Sequence, residues 1–230
     1  MSNINQIIFK MYQNIHVFYK YRELIPIDEP ITNAILNEKV QKYKYIVMRS
    51  ISKHDADHLE KIKNLLKDDK FDELKDTNVR IYYLIILYPN TDYNSKRPEF
   101  KKILSLVPYK NSDIMIVTKD KIGKHMLKFI YKLNETSASQ KIYVYEYALF
   151  KTIIPEYSLA PKYTILSKDE IEKELSQFHI QPNNLSRVLE SDPQMVWIGA
   201  KVGQVVKYEY LSEVTIKSIG YSVVIPSNDV

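Results

Sequence analysis

Two histidines one helical turn apart have the most recognisable catalytic spacing in the chain. His54 and His58 lie in the segment HDADH, which has the spacing of the zinc-protease motif HExxH. Asp55 stands where that motif requires the longer glutamate base. No third metal ligand follows, although a catalytic zinc takes three protein ligands. The segment is therefore interpreted as two solvated histidines on a polar stretch.

The other residues with reactive side chains stand without partners in the sequence. Glu73 and Lys75 have the spacing of the acid-x-Lys half of a metal-dependent nuclease, but they lie in a charged stretch with no upstream Pro-Asp partner. His16, His125 and His179 have no neighbouring Ser or carboxylate that would indicate a triad. We therefore predict no catalytic residue, no metal site, no cofactor and no small-molecule substrate.

Composition excludes several further classes of protein. The chain has no cysteine, so disulfides and thiolate metal sites are excluded. The longest apolar run, Ile81 to Tyr88, is far shorter than the roughly 20 residues of a membrane helix and is predicted to be a buried strand. The opening MSNINQ lacks the features of a signal peptide, which favours an intracellular protein with no membrane partner.

Charge divides the chain into two parts. Residues 1–154 hold 26 Lys and Arg against 18 Asp and Glu, a net charge of +8, whereas residues 155–230 hold 7 against 10, a net charge of −3. This division predicts two domains with different partners, and the basic one would tolerate or seek a polyanion. A basic excess of this size is also common on proteins that never contact nucleic acid, so both interpretations stay open.

The first part alternates predicted strands and helices. Apolar residues from Asn3 to Tyr19 recur at helical spacing, and strands are predicted around Tyr43–Ile51, up to Pro89, at Asp113–Thr118 and at Lys141–Phe150. Lys53–Lys75 is a polar insert, helical or mobile. A helix is predicted over Lys119–Leu133. The alternation indicates a mixed α/β fold, with a helix and sheet in the first domain.

The second part, beyond the Pro- and Ser-rich stretch at Pro155–Pro161, predicts a small α+β domain over residues 155–230. Ser167 and Glu170 form a capping box at the start of a helix, and a second small element begins at Pro182. Two apolar, β-branched arms flank Gly199 and Gly203, which predicts a hairpin with a glycine turn. Trp197 is then expected in the internal core rather than at an interface.

The segment from Ala160 to Val214 resembles the assembly domain of the fifth subunit of eukaryotic nuclear RNA polymerases and is similar to the small archaeal counterpart of that subunit. The family pattern contains Leu-(Ser/Thr)-x-x-Glu, Asp-Pro, and Gly-x-(Lys/Arg)-x-Gly-x-Val followed by a basic residue, at the distances found here. The matching positions are Pro161, Leu166, Ser167, Glu170, Leu185, Arg187, Asp192, Pro193, Gly199, Lys201, Gly203, Val205, Val206, Lys207, Ser212 and Glu213.

The front of the chain is similar to the same family in its opening helix, NINQIIFKMYQNIHVFYKYREL, and in the segment DIMIVTKDKIGK. The resemblance implies a non-catalytic subunit of a multisubunit DNA-directed RNA polymerase that takes part in transcription. Residues 1–154 would be a jaw domain near downstream duplex DNA. Residues 155–230 would be an assembly domain that docks on the largest subunit, among the other polymerase subunits.

The resemblance and the residues together give two sets of site residues. The interface set is Pro161, Arg187, Asp192, Pro193, Gly199, Lys201, Gly203, Lys207, Ser212, Glu213 and Tyr221. For the DNA-proximal set, we expect Thr118 to cap a helix beginning at Lys119, with lysines along one helix face. That set is Thr118, Lys119, Lys121, Lys124 and Lys128.

Departures from the family pattern favour one source. The family's Thr-Pro-Ser-Ala has become Thr118-Lys119-Asp120-Lys121, and its Thr after Ser-Glu is Val214. With the Lys, Ile, Tyr and Asn bias, these changes favour a large DNA virus, and a virion or cytoplasmic viral factory over the nucleus. The alternative function is a free-standing DNA-binding or metal-dependent DNA-processing protein built on the basic first domain.

Overall fold

The chain divides into two compact units, which are described separately. The computed structural model describes residues 3–68, 70, 73–74, 77, 79–89, 97–119, 121–137, 139–177, 184–212 and 216–227. Unit 1 comprises Met1–Thr152 and unit 2 comprises Ile153–Val230. Both units contain helices packed on a mixed sheet, so the predicted mixed α/β class is confirmed.

Unit 1 alternates helices and strands along the chain. Its elements are α1 (Asn3–Tyr21), β1 (Leu24–Pro26), α2 (Asn33–Tyr43), β2 (Tyr45–Ser52), a 3-10 helix (Lys53–His58), α3 (Leu59–Lys67), β3 (Ile81–Leu87), α4 (Arg97–Leu104), β4 (Ser112–Thr118), α5 (Lys124–Thr136), β5 (Gln140–Glu146) and α6 (Ala148–Lys151). The predicted first helix is confirmed. The strand predicted to end at Phe150 is too long, because β5 ends at Glu146 and α6 follows.

The strands of unit 1 form one sheet in the order β1-β2-β3-β4-β5 within the described residues. β1, β2 and β3 pair antiparallel, whereas β3, β4 and β5 pair parallel, each through a helical crossover. β3 and β4 are buried along nearly their whole length, as expected for central strands covered on both faces. A contiguous apolar cluster that includes Ile85, Phe100, Ile116 and Ile130 forms the core on one face of this sheet, and Leu84, Ile86 and Met115 are buried on the other face.

The helix predicted to begin at Lys119 begins five residues later. Thr118 is the last residue of β4, where it pairs with Glu146 and is 1% exposed, so it does not cap a helix. Gly123 is the N-cap residue of α5, and it supplies no side-chain cap. The strand pairing therefore outweighed the capping preference of Thr118, and Lys119 and Lys121 lie before the helix rather than on it.

Unit 2 has one helix on each face of a small sheet. Its elements are a 3-10 turn (Ile154–Glu156), β6 (Lys162–Ile165), α7 (Lys168–Gln177), β7 (Ser186–Leu189), α8 (Pro193–Ile198), β8 (Val205–Ser212) and β9 (Ile216–Ile225). Among the described residues the strand order is β6-β8-β9-β7, with only β9 and β7 parallel. Val205 packs in the cluster with Leu175 of α7, and the next residue, Val206, packs with Met195 on the other face.

The predicted hairpin around Gly199 and Gly203 is wrong in its first arm. Residues Pro193–Ile198 form α8, and the antiparallel hairpin of this unit is instead β8 with β9. Asp192 caps the helix and Pro193 occupies its first turn, which favours a helix over the strand that the β-branched residues suggested. A second small element was predicted to begin at Pro182. Its residues Arg187 and Val188 lie in β7, whereas Pro182 lies outside the described residues.

No helix in the described part of the chain is both long enough and apolar enough to cross a membrane.

Candidate functional site

The capping box predicted in unit 2 is present and begins α7. The Ser167 N–H donates to Glu170 Oε2 at 2.8 Å, the Ser167 hydroxyl donates to the same oxygen at 2.7 Å, and the Glu170 N–H donates to Ser167 Oγ at 3.4 Å. The Ser167 N–H and then the hydroxyl lower the pKa of Glu170 from its usual value. This box holds the start of the helix in place, four residues before Glu174.

Glu174 joins α7 to the hairpin through two of the predicted interface residues. Lys207 and Tyr221 are cross-strand partners on β8 and β9. Lys207 Nζ lies 2.8 Å from Glu174 Oε1, and the Tyr221 hydroxyl donates to Glu174 Oε2. The Lys207 and Glu174 side chains are 22% and 21% exposed, so the pair is largely shielded from solvent. The motif residues Lys207 and Tyr221 therefore support the fold of unit 2.

The two hydrogen bonds have opposite effects on ionisation. Those from Lys207 and then Tyr221 lower the pKa of Glu174, so this carboxylate is charged at neutral pH. Burial, with the hydrogen bond to Glu174, raises the pKa of Tyr221 to about 12, so its hydroxyl stays a donor. Sequence reasoning missed Glu174. The sequence feature that points to Glu174 is its position one helical turn after Glu170, on the helix face that turns toward the sheet.

Four of the predicted interface residues determine the backbone of α8 and of the turn after it, namely Asp192, Pro193, Gly199 and Gly203. Asp192 Oδ1 accepts from the Gln194 N–H at 2.8 Å, and Gly199 ends the helix with a φ of 78°. Gly203, with a φ of 86°, donates its N–H to Val224 O at 2.9 Å and starts the approach to β8. Both glycines occupy the left-handed region that other residues adopt at a cost. These motif residues set the backbone path rather than a reactive site.

Among the predicted interface residues that the structure describes, Arg187 and Lys201 are the charged residues that are exposed. Arg187 lies on β7 in register with Val223, and the neighbouring Val224 accepts from Gly203 in the turn that carries Lys201. Both cations therefore lie toward the same end of the sheet. Pro161 immediately precedes β6. Ser212 ends β8, and Glu213 lies outside the described residues.

The Trp197 side chain is buried within the chain. It is 0% exposed, so the ring is not offered to a partner subunit, as predicted. The exposed hydrophobic residues of this unit lie elsewhere and include Leu159, Val202, Tyr210 and Ile219.

The structure separates the lysines that were predicted to lie near DNA. Lys124 and Lys128 are exposed on α5, one helical turn apart, and Lys132 continues the same row. The apolar side of α5 carries Met126 and Ile130, which are buried in the core of unit 1. Lys119 and Lys121 are exposed in the segment between β4 and α5, and Thr118 is buried. The row on α5 is therefore the helical part of this basic surface.

His54, His58 and Glu73, which were considered for metal chemistry, are exposed. His54 and His58 are exposed on the short helix after β2, and His125 is exposed at the start of α5. Glu73 lies 3.8 Å from Lys70, while Lys75 and His179 lie outside the described residues. Within the described ranges no group of three His, Cys, Asp or Glu side chains is placed to hold a metal ion.

The comparison with known proteins gives a family match for unit 2. Residues 152–224 match the family model of the RNA polymerase Rpb5 C-terminal domain. The chain is 36% identical over 72 residues to the DNA-directed RNA polymerase subunit Rpo5 of Methanocaldococcus jannaschii, which covers 31% of this chain and 92% of that protein. The Rpo5 of Methanosphaera stadtmanae is 34% identical over 74 residues, 96% of its length.

Viral proteins extend the similarity beyond unit 2. The DNA-directed RNA polymerase RPB5 homolog of African swine fever virus isolate Tick/Malawi/Lil 20-1/1983 is 32% identical over 107 residues, 46% of this chain. The chain spans about half the length of the curated viral relatives it matches in this way, 52% for that isolate. The homolog of isolate Tick/South Africa/Pretoriuskop Pr4/1996 is 25% identical over 216 residues, 91% of this chain and 93% of that protein.

Proposed function

Because the chain belongs to the family of the RNA polymerase subunits RPB5 and Rpo5, we propose that it is a non-catalytic subunit of a multisubunit DNA-directed RNA polymerase. The observation that carries this proposal is the near-complete match between one unit and a whole subunit. The similarity to the M. jannaschii Rpo5 covers 92% of that protein and about one third of this chain. A subunit of that size is assembled into a polymerase, so the corresponding unit here has enough surface to be assembled too.

We propose that unit 2 is the assembly domain and docks on the largest subunit. Arg187 and Lys201 support this role, because they are exposed charged side chains among motif residues that otherwise hold the fold. Charged side chains on the rim of an interface guide association and fix its register. Arg187 and Lys201 lie toward the same end of the sheet, so one acidic patch of the partner can meet both of them.

Docking is tested by co-purification with a tagged largest subunit. Arg187→Glu with Lys201→Glu should reduce the recovered complex, whereas the matched pair Lys168→Glu with Lys173→Glu, which makes the same charge change on exposed positions of α7, should leave it unchanged. Retained folding is checked by the fluorescence of Trp197. Equal loss in both variants would mean that net charge alone, and not this surface, governs association. Turnover of DNA by the isolated chain with added metal would contradict the non-catalytic assignment.

We propose that unit 1 is a jaw that lies close to downstream duplex DNA. Residues 1–154 carry a net charge of +8, and Lys124, Lys128 and Lys132 form a row on the exposed side of α5. Phosphates follow a duplex at regular intervals, so a row of cations along a rigid helix can follow one strand. Lys119 and Lys121 lie at the start of the same surface, although on a loop rather than on the helix.

DNA contact is tested on the assembled polymerase by measuring the salt dependence of its affinity for downstream duplex. Lys124→Glu with Lys128→Glu should weaken binding and lower the salt slope by about one for each lost phosphate contact. The same change at Lys101 and Lys102, which lie exposed on α4, is the matched control. A second pair of substitutions, Lys119→Glu with Lys121→Glu, tests separately whether the loop before α5 contributes to DNA affinity. An unchanged slope in both test pairs would mean that the jaw surface contacts DNA elsewhere or not at all.

The viral relatives support an origin in a large DNA virus and an intracellular site of action. Within that setting we propose the virion or a cytoplasmic viral factory, with the nucleus as the alternative. Labelling of the chain in infected cells, followed at the time of late transcription, distinguishes a factory from the nucleus, and analysis of purified particles tests for packaging.

A further inference from the structure

The two edge strands of the unit 1 sheet differ in how much open backbone they present. β1 has three residues and ends at Pro26, whereas β5 has seven, Gln140–Glu146. Edge strands carry N–H and C=O groups that can pair with another chain, and proteins blunt such edges with short strands, proline or bulges. β1 is short and contains proline. β5 pairs with β4 through all of its residues without a bulge, and it contains no proline.

The sequence of β5 strongly favours pairing with a further strand. Its central residues, Ile142–Tyr145, alternate β-branched and aromatic side chains, which are the residue types enriched in strands. The rings of Tyr143 and Tyr145 stack in parallel with centroids 6.4 Å apart. Lys141 and Glu146 carry opposite charges, so the strand has no net charge. A window of this kind promotes association when its edge is open.

The side chain of Asn134, in the last turn of α5, lies against the outer edge of β5. The Ile142 N–H donates to Asn134 Oδ1 at 2.8 Å, and Asn134 Nδ2 donates to Ile142 O at 2.8 Å. Lys141 Nζ donates to Asn134 O at 2.7 Å and ties the end of the helix to the strand. A residue of an antiparallel strand makes the same two bonds with its hydrogen-bonded partner. The Asn134 amide therefore takes the place of a sixth strand at Ile142.

The direction of neighbouring backbone groups confirms that Ile142 faces away from the sheet. In a strand, every second residue turns its N–H and C=O groups toward the same neighbour. The Tyr147 N–H, directly after β5, donates to Thr118 O of β4 at 2.8 Å. Odd-numbered residues of β5 therefore turn their backbone groups toward β4, and even-numbered residues turn theirs outward.

The outer edge is closed in its first half and open in its second half. The Gln140 N–H donates to Ser137 Oγ at 3.2 Å, and Ile142 is held by Asn134. The backbone groups of Val144 have no hydrogen-bond partner in the part of the chain that the structure describes. The open part is shorter than an ordinary strand of about five residues, whereas loss of the Asn134 contacts would extend it to residues 142–146.

From this arrangement we infer that Asn134 closes the edge of the unit 1 sheet against a second copy of this chain. Without that closure, two β5 strands would pair antiparallel about Val144, because a two-fold interface brings the same strand together from both copies. A second copy is a fitting partner, since it supplies the same strand-forming, uncharged segment. The inference is independent of the polymerase role, because it depends only on α5 and β5. Its consequence is that the free chain stays monomeric.

The inference is tested by sedimentation equilibrium of the full-length chain over a range of concentrations. The parent should sediment as a monomer of 27.2 kDa, and Asn134→Ala should dimerise at least about tenfold more tightly than the parent. Asn64→Ala, which makes the same change at an exposed position of α3, is the matched control and should stay monomeric. Equal association of the parent and Asn134→Ala would overturn the inference.

A second substitution distinguishes strand pairing from association through unfolded chains. Val144→Pro removes an outward N–H that no strand of the sheet uses, and proline is tolerated at such edge positions. Added to Asn134→Ala, it should restore the monomer. Association that persists in the double variant would overturn the inference. A monomeric Asn134→Ala that is recovered with polymerase subunits in greater amount than the parent would overturn it too, in favour of a strand from another protein.

Amide hydrogen exchange followed by NMR tests the closure in the parent itself. In the monomer, the Ile142 N–H should exchange at least about tenfold more slowly than the Val144 N–H, because only the former is hydrogen-bonded. In Asn134→Ala, both amides should exchange rapidly at low concentration and slowly once the dimer forms. Equal protection of Ile142 and Val144 in the monomeric parent would overturn the inference, because the edge would then not be closed by Asn134.

Discussion

The two units stabilise their sheets in different ways. Unit 1 has a large contiguous apolar cluster on one face of its sheet, in which Ile85, Phe100 and Ile116 are 0% exposed, and further buried residues such as Leu84 and Met115 on the other face. Within its described residues, unit 2 has two small clusters of four buried residues each, one on either face of its sheet. It adds a capping box, the Glu174–Lys207–Tyr221 interaction and two left-handed glycines. A small domain buries a smaller fraction of its surface, so specific contacts of this kind carry more of its stability.

This difference explains why the family motif is concentrated in unit 2. Asp192, Gly199 and Gly203 each hold a backbone feature that few other residues can provide, and Lys207 and Tyr221 hold one carboxylate. An apolar cluster such as that of unit 1 accepts many combinations of similar volume. Residue-specific contacts therefore leave a readable pattern in the sequence, and volume-based packing leaves only periodicity.

The largest effect is expected from a core truncation in unit 1. Phe100→Ala should lower the free energy of unfolding of that unit by about 3 to 5 kcal/mol, because a fully buried ring is replaced by a cavity. Trp197 is the single tryptophan and lies in unit 2, so its fluorescence follows that unit while far-UV circular dichroism follows both. Urea unfolding should shift the dichroism transition and leave the Trp197 transition unchanged.

The control is the milder variant Phe100→Leu, which keeps most of the side-chain volume. It should lower the free energy of unfolding of unit 1 by less than Phe100→Ala does. A Trp197 transition that moves together with the dichroism signal would break the comparison, because the two units would then unfold as one cooperative body.

The next effect is expected from the backbone of unit 2. Gly199→Val should cost about 1 to 3 kcal/mol, because a β-branched residue would have to adopt the φ of 78° that ends α8. The Trp197 transition should move to lower urea concentration. Val202→Ala, at an exposed position in the turn that follows, is the control and should change little. An unchanged transition in Gly199→Val would contradict the left-handed end of the helix.

Local signals in the sequence predicted the elements whose determinants lie within one or two turns. The capping box of Ser167 and Glu170 needs residues only three positions apart, and the apolar period of α1 repeats over nineteen residues. The error at α8 also had a local cause. Asp192, Pro193 and Gly199 are the start and stop signals of a helix, whereas the β-branched and aromatic residues between them favour a strand.

Contacts between distant residues could not be predicted. Glu174 meets Lys207 and Tyr221 across 33 and 47 residues. Thr118 is a case in which a distant contact overrides a local preference. Its capping preference is local, whereas the pairing with Glu146 that keeps it in β4 depends on a strand 28 residues later.

A smaller effect is expected from the shielded carboxylate. Glu174→Gln should lower the stability of unit 2 by about 1.5 kcal/mol at neutral pH, since charge-assisted hydrogen bonds from Lys207 and Tyr221 are weakened. The control is Glu172→Gln, which removes an exposed charge from the same helix. Urea unfolding followed by Trp197 fluorescence measures the stability of both variants.

The pH dependence of this difference has a definite sign. The pKa of Glu174 is lower in the folded chain than its ordinary value of 4.5, so its contribution is present above pH 4.5 and is lost as the pH falls through the folded pKa. The stability difference between the parent and Glu174→Gln should therefore be constant near neutral pH and shrink below pH 4.5. A difference that grows on acidification would mean that Glu174 is destabilised by its surroundings rather than held by Lys207.

The smallest effect is expected at the capping box. Ser167→Ala should cost about 1 kcal/mol, because the first-turn N–H of Glu170 loses its acceptor and the Glu170 carboxylate loses the hydroxyl donor. Ser176 provides the matched control, since its hydroxyl donates to carbonyls of Glu172 and Lys173 within the same helix. Ser176→Ala should be neutral or stabilising, because alanine is the better residue in a helix interior. Opposite signs for two identical substitutions in one helical segment would show that unit 2 depends on specific end contacts. Equal losses would instead indicate that general helix propensity governs this unit, as packed volume governs unit 1.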